Sequence, residues 1–126
     1  MKNTVVVSAI IKNEKGEALL IHYDKEKEGG VLIPPGGKME LGESARETVT
    51  RECKEELGVE IEVKDLVGIS ELDYGDGKPW IFLFYSAEII NGTPQPMEAN
   101  RVDGKGFDIV YTEIENMNHF KNIRWI

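Results

Sequence analysis

Glu52, Glu55 and Glu56 stand at i, i+3 and i+4 within the segment Gly37 to Val59, GKMELGESARETVTRECKEELGV. On a helix that spacing brings the three carboxylates onto one arc of roughly 100°. Like charges so placed repel by about 0.2–0.5 kcal/mol per pair, and something must offset the repulsion. A hard divalent cation does so, since magnesium takes oxygen ligands and prefers one or two carboxylates plus substrate phosphates to a complete protein cage. The chemistry such a group could support is metal-assisted attack on a phosphate linkage.

An acidic stripe alone is ordinarily a solvated helix surface. The whole string argues otherwise, because Gly37, Glu43, Arg51, Glu52, Glu55, Glu56 and Gly58 all sit at fixed offsets. With 13 Gly, 17 Glu and 4 Arg in 126 residues, those seven positions would coincide on the order of once in 10⁵ chains of this composition. The string resembles the signature of the MutT-like Nudix hydrolases, G-x5-E-x7-R-E-U-x-E-E-x-G-U with U aliphatic, and every fixed position is present. Cys53 occupies one aliphatic slot, which a small, commonly buried residue can fill. The likeness is strongest over Pro35 to Val59.

The resemblance implies that Glu52, Glu55 and Glu56 are the metal-binding and catalytic carboxylates, with a backbone carbonyl of Gly36-Gly37 as a further ligand. It implies magnesium as the cofactor, with manganese able to replace it. Arg51 is expected at the edge of the arc, holding Glu43 and so bracing the loop against the helix. Similar enzymes draw the general base either from the helix or from a glutamate in a later loop, and Glu98 is the loop candidate here. Tyr74 and Trp80 flank a turn and are expected to stack on a base, although an aromatic beside a turn also serves packing. His22 and His119 lie outside any motif and receive no role. Many relatives lead into Pro-Gly-Gly with a tryptophan and an apolar residue, whereas Leu32 and Pro34 stand here, so the loop before the box is expected to differ in shape.

The elements that must position these residues follow from pattern. Thr4 to Ile11 is rich in β-branched residues and reads as a buried strand. Asn13 to Gly16 is a turn into a second strand at Ala18 to Tyr23, and the two strands are expected to form a hairpin. Val31-Leu32-Ile33 runs into Pro34-Pro35-Gly36-Gly37, where prolines are expected to forbid regular pairing and glycines to permit positive φ. Ser44 with Glu47 forms a capping box and Gly58 a stop, which predicts a helix over Ala45 to Leu57. Its Ala45, Val49, Cys53 and Leu57 form an apolar stripe that can dock on a sheet while the carboxylates face a cleft.

Glu60 to Leu72 reads as a strand with a bend or bulge at Lys64-Asp65. Tyr74 to Gly77 is a hairpin turn, Pro79 to Ile90 the returning strand, and Asn91 to Gly106 a long loop. A short strand follows at Phe107 to Tyr111, and Thr112 to Glu115 offers a capping box for one or two last helical turns. The expected class is α+β: an α/β/α sandwich of the Nudix type with a mixed β-sheet and the Nudix-box helix packed on it. Similar proteins carry a fuller C-terminal helix than this chain offers.

At 126 residues the expectation is one domain spanning 1–126. A net charge of −8, with no basic stripe, argues against duplex nucleic acid as a partner. The N-terminal apolar run is too short to span a membrane, and a lone cysteine agrees with a reducing cytoplasm. The function expected is hydrolysis of the diphosphate linkage in a nucleoside diphosphate joined to another moiety, by a monomer or homodimer acting on a small nucleotide. The alternatives are a Nudix-like domain that binds or senses a nucleotide without cleaving it, and an acidic interaction domain without a ligand. Specificity is expected from the Asp24 to Gly30, Tyr74 to Gly77 and Asn91 to Gly106 loops.

Overall fold

Val5, Val6 and Val7 favour extended backbone, and they form the strand β1 (Thr4–Ile10), which is paired along both edges. The computed structural model describes residues 4–23, 30–75, 77–97 and 107–126. Glu98 and the rest of 98–106, like 24–29 and Asp76, lie outside the described residues. β1 runs parallel to β6 (Trp80–Asn91) on one side and antiparallel to β4 (Gly36–Lys38) on the other. β5 (Glu60–Leu72) pairs antiparallel with β6, and β8 (Arg124–Trp125) closes a mixed five-stranded sheet of order β4-β1-β6-β5-β8. β2 (Ala18–Tyr23) pairs with β3 (Val31–Ile33) and β7 (Asp108–Thr112) in a second, antiparallel sheet of order β3-β2-β7.

The expected β1–β2 hairpin does not form as a ladder. The turn is present, with Asn13 N–H donating to Glu17 O at 2.9 Å, but the strands meet only at the Lys12–Ala18 bridge and a bond from Leu19 N–H to Ile11 O. Both edges of β1 are already occupied by β4 and β6, so β2 must leave for another sheet. The Pro-Pro-Gly-Gly segment also departs from expectation, because it pairs. A proline has no N–H to give, yet its carbonyl still accepts: Pro35 O takes Ala9 N–H at 2.8 Å, and Gly36–Lys38 continue antiparallel to Ser8–Val6.

Helix α1 (Ala45–Leu57) has the expected bounds. Ser44 Oγ accepts Glu47 N–H, Glu47 Oε1 accepts Ser44 N–H, and Gly58 ends the helix at φ 69° with its N–H on Lys54 O. Val49, Cys53 and Leu57 are fully buried, packed with Val7 and Ala9 of β1. A register shift between Val63 and Leu66 confirms an irregularity at Lys64-Asp65. It exposes the Val63 and Lys64 carbonyls to the Arg46 guanidinium at 3.1 and 2.7 Å, which ties α1 to β5.

The opposite face of the sheet, carrying Ile10 and Phe84, is covered by two 3-10 turns at Ile114–Asn116 and Phe120–Asn122. The α/β/α sandwich therefore has α1 as one outer layer and this shorter coiled segment as the other. The capping box read at Thr112 to Glu115 is absent: Thr112 ends β7, and its hydroxyl accepts from Asn116 Nδ2 at 2.8 Å. Ile114, Met117, Phe120 and Ile123 recur every third residue, the period of a 3-10 turn, and all four pack on this face. The described residues contain no helix long and apolar enough to cross a membrane.

Candidate active site

Glu52 and Glu56, one turn apart on α1, face strand β4. Glu56 is 8% exposed; its Oε1 accepts the Gly36 N–H at 2.9 Å and its Oε2 the Tyr23 hydroxyl at 3.3 Å. Burial pushes the Glu56 carboxyl up to about 8, and the nearby Glu52 charge pushes the same way, while the Gly36 and Tyr23 hydrogen bonds oppose it. Burial first, and Glu56 second, raise the Tyr23 phenol above its ordinary range. Glu52 is also raised by burial, against the pull of Arg51.

The two glycines allow this approach. A Cβ on Gly36 would stand 2.1 Å from Val7 O, and one on Gly37 only 2.3 Å from the Glu52 carboxyl carbon. Glycine here is a clearance requirement of a strand pressed between β1 and two carboxylates.

Arg51 lies among the acids and not at their edge. Its Nε and Nη2 grip Glu43 at 2.6 and 3.0 Å, its Nη1 reaches Glu52 at 2.9 Å and Glu55 at 3.2 Å, and Nη2 also donates to Lys38 O at 3.2 Å. A guanidinium fork suits such multiple pairing. Arg51 is the main reason that Glu43 is held down at about 2, helped by the Glu40 N–H. Glu55, with a side chain 47% exposed, shares the Arg51 Nη1 with Glu52. The three carboxylates of the arc differ in burial, from the buried Glu56 to the half-exposed Glu55, whose charge acts on both of the others.

Among the described residues no three His, Cys, Asp or Glu side chains converge as a complete metal cluster. The donor set nevertheless fits a hard cation that completes its shell with phosphate oxygens. Two carboxylates, Glu56 buried and resistant to ionisation and Glu52 beside it, are oxygen donors of the kind such a cation takes.

On the sheet face away from α1, a cavity of about 290 Å³ is lined by Gly36, Gly37 and Lys38 of the same strand. Tyr74 and Trp80 both reach it, packed edge to face at 5.1 Å, with Phe82 stacked beyond Trp80 at 6.4 Å. Lys38 Nζ lies 4.9 Å from the Trp80 ring centre. His119, given no role from sequence, adopts φ 61° at the cavity wall. β4 is an edge strand of its sheet, with the cavity on one side and Glu52 and Glu56 on the other.

Tyr23, Lys38 and His119 were not singled out by sequence for this site. Tyr23 closes an apolar strand 33 residues before Glu56, and nothing local signals the contact. Lys38 alone carried a usable cue, being a cation inside the box.

The sequence profile described as NUDIX domain matches residues 2–120. The 8-oxo-dGDP phosphatase NUDT18 of Mus musculus is 36% identical over 87 residues, 69% of this chain and 26% of that protein. The ADP-ribose pyrophosphatase of Methanocaldococcus jannaschii is 40% identical over 65 residues, 52% of this chain and 38% of that protein. The chain thus spans about a quarter to two fifths of the length of these relatives. Among solved structures, the E. coli ORF135 protein superposes with a TM-score of 0.67 at 28% identity, covering 91% of this chain and 76% of its own. The MutT protein of Methanosarcina mazei shares the fold at a TM-score of 0.70 and 24% identity, over 91% of this chain and 81% of its own. A profile that runs from the first strand to the last turns, and a fold shared with these proteins, make the chain a member of the Nudix family.

Proposed function

We propose that this chain is a magnesium-dependent hydrolase that cleaves the diphosphate linkage of a nucleoside diphosphate joined to another moiety, by attack of water at phosphorus. The observation that carries this reading is the two-sided use of β4. Carboxylates press on it from the helix side, and an aromatic cavity opens from the same strand on the other. The relatives point the same way, being named for 8-oxo-dGDP and ADP-ribose.

Glu52 and Glu56 would hold the cation, joined by Glu55 and a carbonyl of Gly36-Gly37. Bound there, magnesium, or manganese in its place, would neutralise diphosphate oxygens and acidify a water. Arg51 and Glu43 hold Glu52 and the loop in register with the helix. Tyr74 and Trp80 supply ring surface for the base. A carboxylate, from α1 or Glu98, accepts the proton of the attacking water; the new P–O bond forms as the bridging P–O bond breaks and its electron pair leaves with the departing phosphate.

The test is a screen of nucleoside diphosphate derivatives with and without magnesium, identifying the bond broken and the product released. Glu56→Gln should lower kcat/KM on the order of 10³-fold while the protein stays folded. Full magnesium-dependent activity in that variant would refute the site. Nucleotide binding without turnover in the unsubstituted protein would favour a sensing domain instead.

A further inference from the structure

Two buried side-chain polar atoms among the described residues make no hydrogen bond, Ser70 Oγ and Trp125 Nε1. Ser70 is 5% exposed and lies on β5 directly opposite Phe82 of β6. It lines the same cavity as Tyr74, Trp80, Phe82, Phe84 and His119. A hydroxyl buried without a partner costs stability, and native proteins retain few such groups. Here it is placed among aromatic rings that could receive a planar ligand. A turn about χ1 moves a serine hydroxyl between staggered wells at little cost, so an oxygen just beneath the wall can meet a ligand in the cavity.

Resting on the nucleotide reading above, we propose that Ser70 is a specificity-determining residue. Its hydroxyl hydrogen-bonds a polar atom on the edge of the substrate's base, stacked in this cavity. A volume of about 290 Å³ lies at the lower end of ligand cavities, which fits one heteroaromatic base and not a pair. A site that pairs a buried polar group with a substrate atom discriminates strongly against ligands lacking that atom, because the group is then left unsatisfied. The rings supply affinity for any base, and Ser70 selects among them.

The experiment measures dissociation constants by tryptophan fluorescence, with magnesium, for imido-bridged non-cleavable triphosphates of adenosine, guanosine, cytidine and uridine, and for base-free ribose 5-triphosphate. The unsubstituted protein should prefer one base. Ser70→Ala should weaken that ligand about tenfold and the others less than about twofold, erasing the preference. Its melting temperature should not fall, since an unsatisfied hydroxyl has been removed. Ser70→Thr, which keeps the hydroxyl, should keep the preference. Identical constants for Ser70→Ala and the unsubstituted protein would overturn the proposal, as would equal weakening of every ligand including the base-free one, or no nucleotide binding at all. Hydrolysis is read separately with cleavable substrates: selective binding through Ser70 without turnover would sink the hydrolase reading and leave this one standing.

Discussion

The two faces of the five-stranded sheet are built by different means. On the α1 face Glu43, Arg51, Glu52, Glu55 and Glu56 come from one continuous stretch, and helical spacing with a few hydrogen bonds from Arg51 puts them together. On the other face the cavity takes residues from β1, β3, β4, β5, β6 and the last turns, brought together only by strand order. The charged face is locally encoded and rigidly braced; the aromatic face is assembled over long sequence distances and can diverge without disturbing the box. The contrast suggests that the first governs rate and the second selectivity.

Substitutions confined to one face should break that division if it is wrong. Next in size to Glu56→Gln, a large effect is expected from Arg51→Lys, which keeps the charge but loses the two-pronged grip on Glu43 and so lets Glu52 drift. Turnover should drop on the order of 10²-fold, the scale of an ångström of misplacement, with nucleotide affinity nearly unchanged. A parallel loss of affinity would show that the faces are one unit.

A smaller effect concerns pH. An acid whose folded pKa is raised binds more protons folded than unfolded. Glu56 therefore makes the cation-free protein lose stability as pH rises from the ordinary glutamate value of 4.5 towards about 8. The loss should be on the order of a few kcal/mol, concentrated in that window and largely absent in Glu56→Gln. Melting curves from pH 5 to 9 without metal check this, and magnesium should raise the melting temperature more at pH 8 than at pH 5. A flat profile in the unsubstituted protein would mean that Glu56 is more hydrated than its burial implies.

The smallest effect is expected from Trp80→Ala, which removes ring surface from the cavity. KM should rise about tenfold, the scale of one base stacked on an aromatic ring, while kcat changes little. Steady-state kinetics separate the two, and a fall in kcat with unchanged KM would move Trp80 out of substrate binding.

Much of the fold was legible because its signals are local. The capping box at Ser44 and Glu47, the stop at Gly58 and the bulge at Lys64-Asp65 each depend on residues within a few positions. The hairpin read between β1 and β2 failed because pairing is competitive: β4 and β6 hold both edges of β1, and β4 lies in a segment whose prolines suggested no strand at all. The expected last helical turns are present, but as 3-10 turns without the capping box, in keeping with the three-residue spacing of Ile114, Met117, Phe120 and Ile123.

The sequence alone determined the family and the helix that carries the carboxylates, since each is written at short, fixed spacing, and the family resemblance implied the partnership of Arg51 with Glu43. Only the tertiary structure decided that Glu56 is buried against Gly36 and Tyr23 while Glu55 stays half exposed, and that Ser70 lies unpaired among the rings of Tyr74, Trp80 and Phe82. Burial and cross-strand contact depend on which distant strands pair, and no local pattern carries that information.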